Sequence, residues 1–84
     1  MSASQVTGDV RWLIQDAGLD HSSEFKVKTK LVKGRLVTTI YGVSPTLATQ
    51  ALSEYVVNVN ARGGNVTSRI RPYDGYLEIS QLAV

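Results

Sequence analysis

Two helices covering one face of a four-stranded, mostly antiparallel sheet, in a two-layer α+β domain, is the fold class that the sequence predicts. Three observations lead there. Apolar residues recur at helical spacing in two segments, around 6–20 and 44–63. Each segment is followed by two alternating runs hinged on a two-residue turn signal, Lys33-Gly34 and then Asp74-Gly75. A length of 84 residues suits one domain with one small core, here 1–84 with 1–5 as a flexible lead. The order along the chain is then helix, hairpin, helix, hairpin.

The first helix is read from "VTGDVRWLIQDAGLD". Val6, Val10, Leu13, Ile14 and Ala17 make its apolar stripe, and Thr7 or Asp9 stands near the start as a cap. Gly18 suits a left-handed terminating position, with Leu19 packing back on Ile14. Trp12 falls off the stripe. The first hairpin, "FKVKTKLVKGRLV" and its continuation, pairs Leu31 with Leu36, Thr29 with Thr38, and Val27 with Ile40 on one face. The other face then carries Lys30 with Val37, Lys28 with Thr39, and Lys26 with Tyr41. A slip of one residue would send every lysine into the core, so the register is well determined.

Ser44 as N-cap and Pro45 at the first helical position open the second helix. Leu47, Ala48, Ala51, Leu52, Tyr55, Val56 and Val59 form its stripe, and Gly63 closes it. Its remaining face is bland, with Glu54 the one charge before Arg62, which suits a contact surface. In the last hairpin Ile70 meets Ile79 and Pro72 meets Leu77. On its other face Arg71 meets Glu78, Arg69 meets Ser80, and Tyr73 meets Tyr76. Pro72 has no N–H to donate, which points to an edge strand or a strand end.

The residue inventory narrows the chemistry. Without cysteine the chain has no disulfide and no thiolate metal site, and with one histidine, His21, it has no histidine cluster. Asp20-His21-Ser22 contains the letters of a triad, but adjacent residues do not converge on one reacting atom. "ARGGN" lacks the spacing and the Lys-Ser/Thr of a phosphate loop. The expectation is a protein that is not an enzyme and needs no cofactor or metal. The opening residues show no signal-peptide pattern and no run approaches a membrane span, so a cytoplasmic protein is expected.

Charge is unevenly spread. Residues 1–24 carry Asp9, Asp16, Asp20 and Glu24 against Arg11, a net −3, while 25–84 carry eight bases against three acids, a net +5. If the helices cover the apolar side of the sheet, then Lys26, Lys28, Lys30, Arg35, Tyr41, Arg69, Arg71, Tyr73 and Tyr76 share the other side. Those residues, with Trp12 as an aromatic anchor, are the candidate contacts. A protein partner, acidic in character, is the favoured reading. Nucleic acid is the alternative, with lysines neutralising phosphates and tyrosines stacking on bases. The outer strands also leave edges for self-association.

One stretch adds a family resemblance. "SEYVVNVNARGGNVTSRIRPY", residues 53–73, resembles the helix, Gly-Gly and strand of small phycobilisome rod-capping linker domains, and "FKVKTKL…LVTTIYGVSP" follows their two preceding strands. The resemblance spans residues 25–73. It implies a non-enzymatic linker of a larger acidic assembly, with Arg69, Arg71 and Tyr73 at the contact. The amino-terminal helix and the Asp74-Gly75 hairpin are additions to that pattern. Small unstapled chains of this kind also include accessory and inhibitory proteins of phages and plasmids.

Overall fold

The computed structural model describes residues 2–62 and 69–82, with the side chains of 2–58 and 70–82. Helix α1 runs Ala3–Asp16, strands β1 and β2 span Lys26–Val32 and Arg35–Tyr41, helix α2 runs Pro45–Arg62, and strands β3 and β4 span Arg69–Tyr73 and Tyr76–Leu82. The four strands form one antiparallel sheet in the order β1-β2-β4-β3. The fold class is α+β.

Helix α1 begins earlier than its apolar periodicity predicts, and its cap is neither Thr7 nor Asp9. Ser2 is extended and its hydroxyl accepts the Gln5 N–H at 3.2 Å, satisfying a donor that the first helical turn leaves without a partner. Thr7 lies a turn inside the helix and is committed elsewhere: its Oγ1 sits 3.0 Å from the Ala3 carbonyl and 2.6 Å from Thr29 Oγ1. At the other end the Leu19 N–H donates to Ile14 O and the Gly18 N–H to Gln15 O, the paired bonds of a Schellman closure. Leu19 packs against the core, as expected. Ala17, counted in the stripe, is exposed, because it is the C-cap residue where the helix has ended.

Both hairpin registers match the sequence pairing, from Lys26↔Tyr41 to Leu31↔Leu36 and from Arg69↔Ser80 to Tyr73↔Tyr76. The Lys33-Gly34 turn holds both residues at positive φ, 50° and 78°. That mirror-image turn follows the right-handed twist of the strands. Pro72 sits on an edge strand, β3, where a missing N–H costs no ladder bond on its outer side.

Alternation of the strands sets the core. Val27, Leu36, Ile40, Leu77 and Ile79 are buried and join Val6, Val10 and Ile14 of α1 with Ala48 and Leu52 of α2 in one cluster. Burying each large aliphatic side chain stabilises by roughly 1.5–3 kcal/mol. Two sequence expectations for the core need correction. Leu31 has the right parity but is 66% exposed, because it lies at the hairpin end of an edge strand with a neighbour on one side only. Leu47 is 49% exposed, because one residue along a helix turns the side chain by about 100° from Ala48, which takes the core position. Ser44 does cap α2, its Oγ accepting from the Leu47 N–H at 3.4 Å. The closure expected at Gly63 lies outside the described residues.

Thr38 is fully buried and polar. Its hydroxyl lies 3.0 Å from Thr29 Oγ1, which continues to Thr7, so a chain of three hydroxyls ties β2, β1 and α1 together. Thr7 Oγ1 donates towards both the Ala3 carbonyl and Thr29 Oγ1, so its single proton is shared between the two.

Candidate functional site

The registers place the candidate residues in rows across the strand order β3, β4, β2, β1. The first row is Tyr73, Tyr76, Tyr41, Lys26; the second is Arg71, Glu78, Thr39, Lys28; the third is Arg69, Ser80, Val37, Lys30. Arg35 lies one step further along β2, opposite Val32 and Leu82. Six of the nine basic residues therefore occupy positions of one parity, with Glu78 the one acid among these positions. Cations run along both edge strands, about 14 Å apart at three strand spacings, with polar and aromatic residues between. The structure brings Lys26, Lys28, Lys30, Arg35, Tyr41, Arg71, Tyr73 and Tyr76 to one sheet face. Arg69 shares their register parity, but its side chain is outside those described.

Three tyrosines form a stack across three strands. Tyr73 and Tyr76 lie with ring centroids 4.8 Å apart and planes 12° from parallel, and Tyr76 and Tyr41 lie 5.6 Å apart at 36°. The first contact is visible in the sequence as a pair flanking the Asp74-Gly75 turn. The second depends on β2 pairing with β4, for which no local signal exists. Tyr76 is flanked by a ring on each side, so its π-faces are spent within the protein.

Lysine spacing on β1 has an electrostatic cost. Lys26 crowds Lys28 and lowers its pKa below the ordinary 10.5, through a side-chain hydrogen bond first and charge repulsion second. Two residues of strand advance only about 6.7 Å, so successive lysines lie within one Debye length at physiological salt. An anion placed over this column relieves that repulsion.

Across β2, β4 and β3 lies a cleft of about 300 Å³ lined by Arg35, Arg71, Glu78 and Ser80. The Arg35 Nε–H donates to Ser80 Oγ at 2.7 Å, which fixes the guanidinium against the sheet. Ser80 and Glu78 appear in the sequence only as strand partners of Arg69 and Arg71; their meeting with Arg35 needs the β2–β4 pairing.

Trp12 is not part of this face. It is 61% exposed on α1 and, with Asp9, Leu13 and Tyr55, lines a cleft of about 240 Å³ between the helices. Among the described residues no helix is long and apolar enough to cross a membrane, and no group of three or more His, Cys, Asp or Glu side chains is placed to hold a metal ion. No protein-family model and no curated protein matches the chain.

Proposed function

We propose that this protein is a non-catalytic binding module that docks an acidic protein partner on its lysine and tyrosine sheet face, acting as a linker, adaptor or inhibitor of a larger assembly. In this reading both helices lie on the opposite side of the sheet, and the whole lysine-bearing side is left for the partner. The single observation that carries it is the concentration of six cations and three tyrosines at one parity of the sheet, against one acid. Positive charge steers an acidic surface into encounter, and aromatic rings with hydroxyl tips supply contact area and hydrogen bonds. The resemblance of residues 25–73 to rod-capping linkers points the same way.

Nucleic acid is the second reading, favoured by the lysine column. The tyrosine stack argues against base recognition, because rings already stacked on one another offer few faces to bases.

The test is a titration with a fluorescent poly-glutamate peptide, single-stranded DNA and duplex DNA at several salt concentrations. Binding of the peptide, weakened about 5- to 150-fold when Lys26, Lys28 and Lys30 are changed together to Gln, is the expected result if each surface pair contributes about 0.3–1 kcal/mol. Tight DNA binding with a steep logarithmic salt slope and no peptide binding would transfer the face to nucleic acid.

A further inference from the structure

On α1, Asp9, Trp12 and Asp16 are spaced at i, i+3 and i+7, so they form one stripe, and all three are exposed. The core side of the same helix is Val6, Val10 and Ile14, packed in the cluster that includes Val27 of β1. Lys26, Lys28 and Lys30 leave β1 on the side away from that cluster. An acidic stripe with an aromatic centre and a cationic column therefore look away from each other in one molecule and cannot meet within it.

Their dimensions correspond. Asp9 to Asp16 is seven helical steps, about 10.5 Å. Lys26 to Lys30 is four strand steps, about 13 Å, a difference that flexible lysine stems absorb. Laid along the column, the stripe sets Asp9 and Asp16 against the outer lysines and the Trp12 ring over Lys28. That is a cation–π arrangement for the lysine whose charge is already disfavoured by its neighbour. Asp20 and Glu24, following α1, extend the same negative end of the chain.

We propose that the chain associates head to tail, with the Asp9–Trp12–Asp16 stripe of one copy seated on the Lys26–Lys28–Lys30 column of the next. The inference rests on the reading of the lysine face as a protein-docking surface, and it names a second copy as an occupant. The two patches differ, so the contact is heterologous and propagates into rings or open chains instead of stopping at a dimer. An external acidic partner must compete with the neighbouring copy, so assembly and partner binding exclude one another at each face.

Sedimentation velocity at low salt, where the Debye length is about 30 Å at 0.01 M, and at high salt tests this. The full chain is expected to grow beyond a dimer with concentration at low salt and to dissociate at high salt. A stripe variant (Asp9→Asn, Trp12→Ala, Asp16→Asn) and a column variant (Lys26→Gln, Lys28→Gln, Lys30→Gln) should each stay monomeric. Mixed in equal amounts they should form a dimer and stop, since one keeps only the column and the other only the stripe. A parent chain monomeric at low salt, either variant assembling like the parent, or a mixture that stays monomeric would overturn the proposal. All six residues are exposed, so both variants should fold, and far-UV circular dichroism is the check. The poly-glutamate peptide separates the two ideas. If it binds the stripe variant while no self-association occurs, the docking face stands and its occupant is another protein; if it binds neither parent nor variant, the docking reading itself fails.

Discussion

Gly42 offers a prediction whose size follows from the coordinates. It comes directly after Tyr41, at φ 74°, and a Cβ built on it would lie 2.5 Å from Phe25 N, 2.6 Å from Glu24 C and 2.8 Å from Glu24 O. Those atoms are backbone, so no side chain can swing aside. The contact clamps the end of β2 to the entry of β1 and so aligns Lys26 with Tyr41 in the first row of the lysine and tyrosine face. In Gly42→Ala the left-handed conformation costs about 1–2 kcal/mol. Relieving the overlap by backbone movement costs about 1–3 kcal/mol more. A domain of this length has a total stability of about 4–13 kcal/mol, so a loss near 3 kcal/mol should lower Tm by about 12–24 °C. Gly34→Ala is the control: φ is 78° there too, but nothing lies within 4 Å of the added Cβ. It should lose only about 1–2 kcal/mol, or about 4–16 °C. Thermal melts followed by far-UV circular dichroism report both, since Trp12 is too exposed to sense unfolding well by its emission. Equal losses in the two variants would refute the close-approach argument and leave only the backbone angle.

Other perturbations have equally definite outcomes. Lys33→Gly or Lys33→Asn, which suit the positive φ of 50° at this turn, should stabilise by about 0.5–1 kcal/mol in urea unfolding. Thr29→Val cuts both links of the Thr7–Thr29–Thr38 chain and should cost about 1–3 kcal/mol; Thr38→Val leaves the Thr7–Thr29 link and should cost about 0.5–1.5 kcal/mol, with the chemical-denaturation midpoint as readout. For Lys28 the folded pKa lies below the unfolded one, so between the two the unfolded chain binds more protons and stability rises with pH. Repulsion from Lys26 is then fully present at neutral pH and fades as pH climbs towards 10.5. Urea midpoints measured over that range should rise less in Lys26→Gln than in the parent; parallel profiles would remove Lys26 as the cause.

Much of this molecule is legible in local patterns. Alternation with a two-residue turn determines a hairpin register because a slip of one residue reverses the two faces, and both hairpins follow that rule pair by pair. Ser44-Pro45 marks the start of α2 for the same kind of reason, a local backbone requirement met by local residues. Where the apolar pattern does not reach, prediction falls short. The turn from Ala3 to Gln5 offers only the small Ala3 to the core, and the start of α1 is set by the Ser2 cap.

Long-range placement was decided by the tertiary structure. Nothing in either hairpin states that β2 lies against β4, yet that pairing completes the tyrosine stack, brings Arg35 to Ser80, and leaves the lysine and arginine strands as the two edges. Likewise Gly42 reads as an ordinary loop glycine until the Glu24–Phe25 backbone is seen to press against it. The sequence by itself determined which residues share a face, because side-chain direction repeats every two residues along a strand. Which faces and edges stand side by side depends on packing both hairpins against one core, and that is a property of the whole chain.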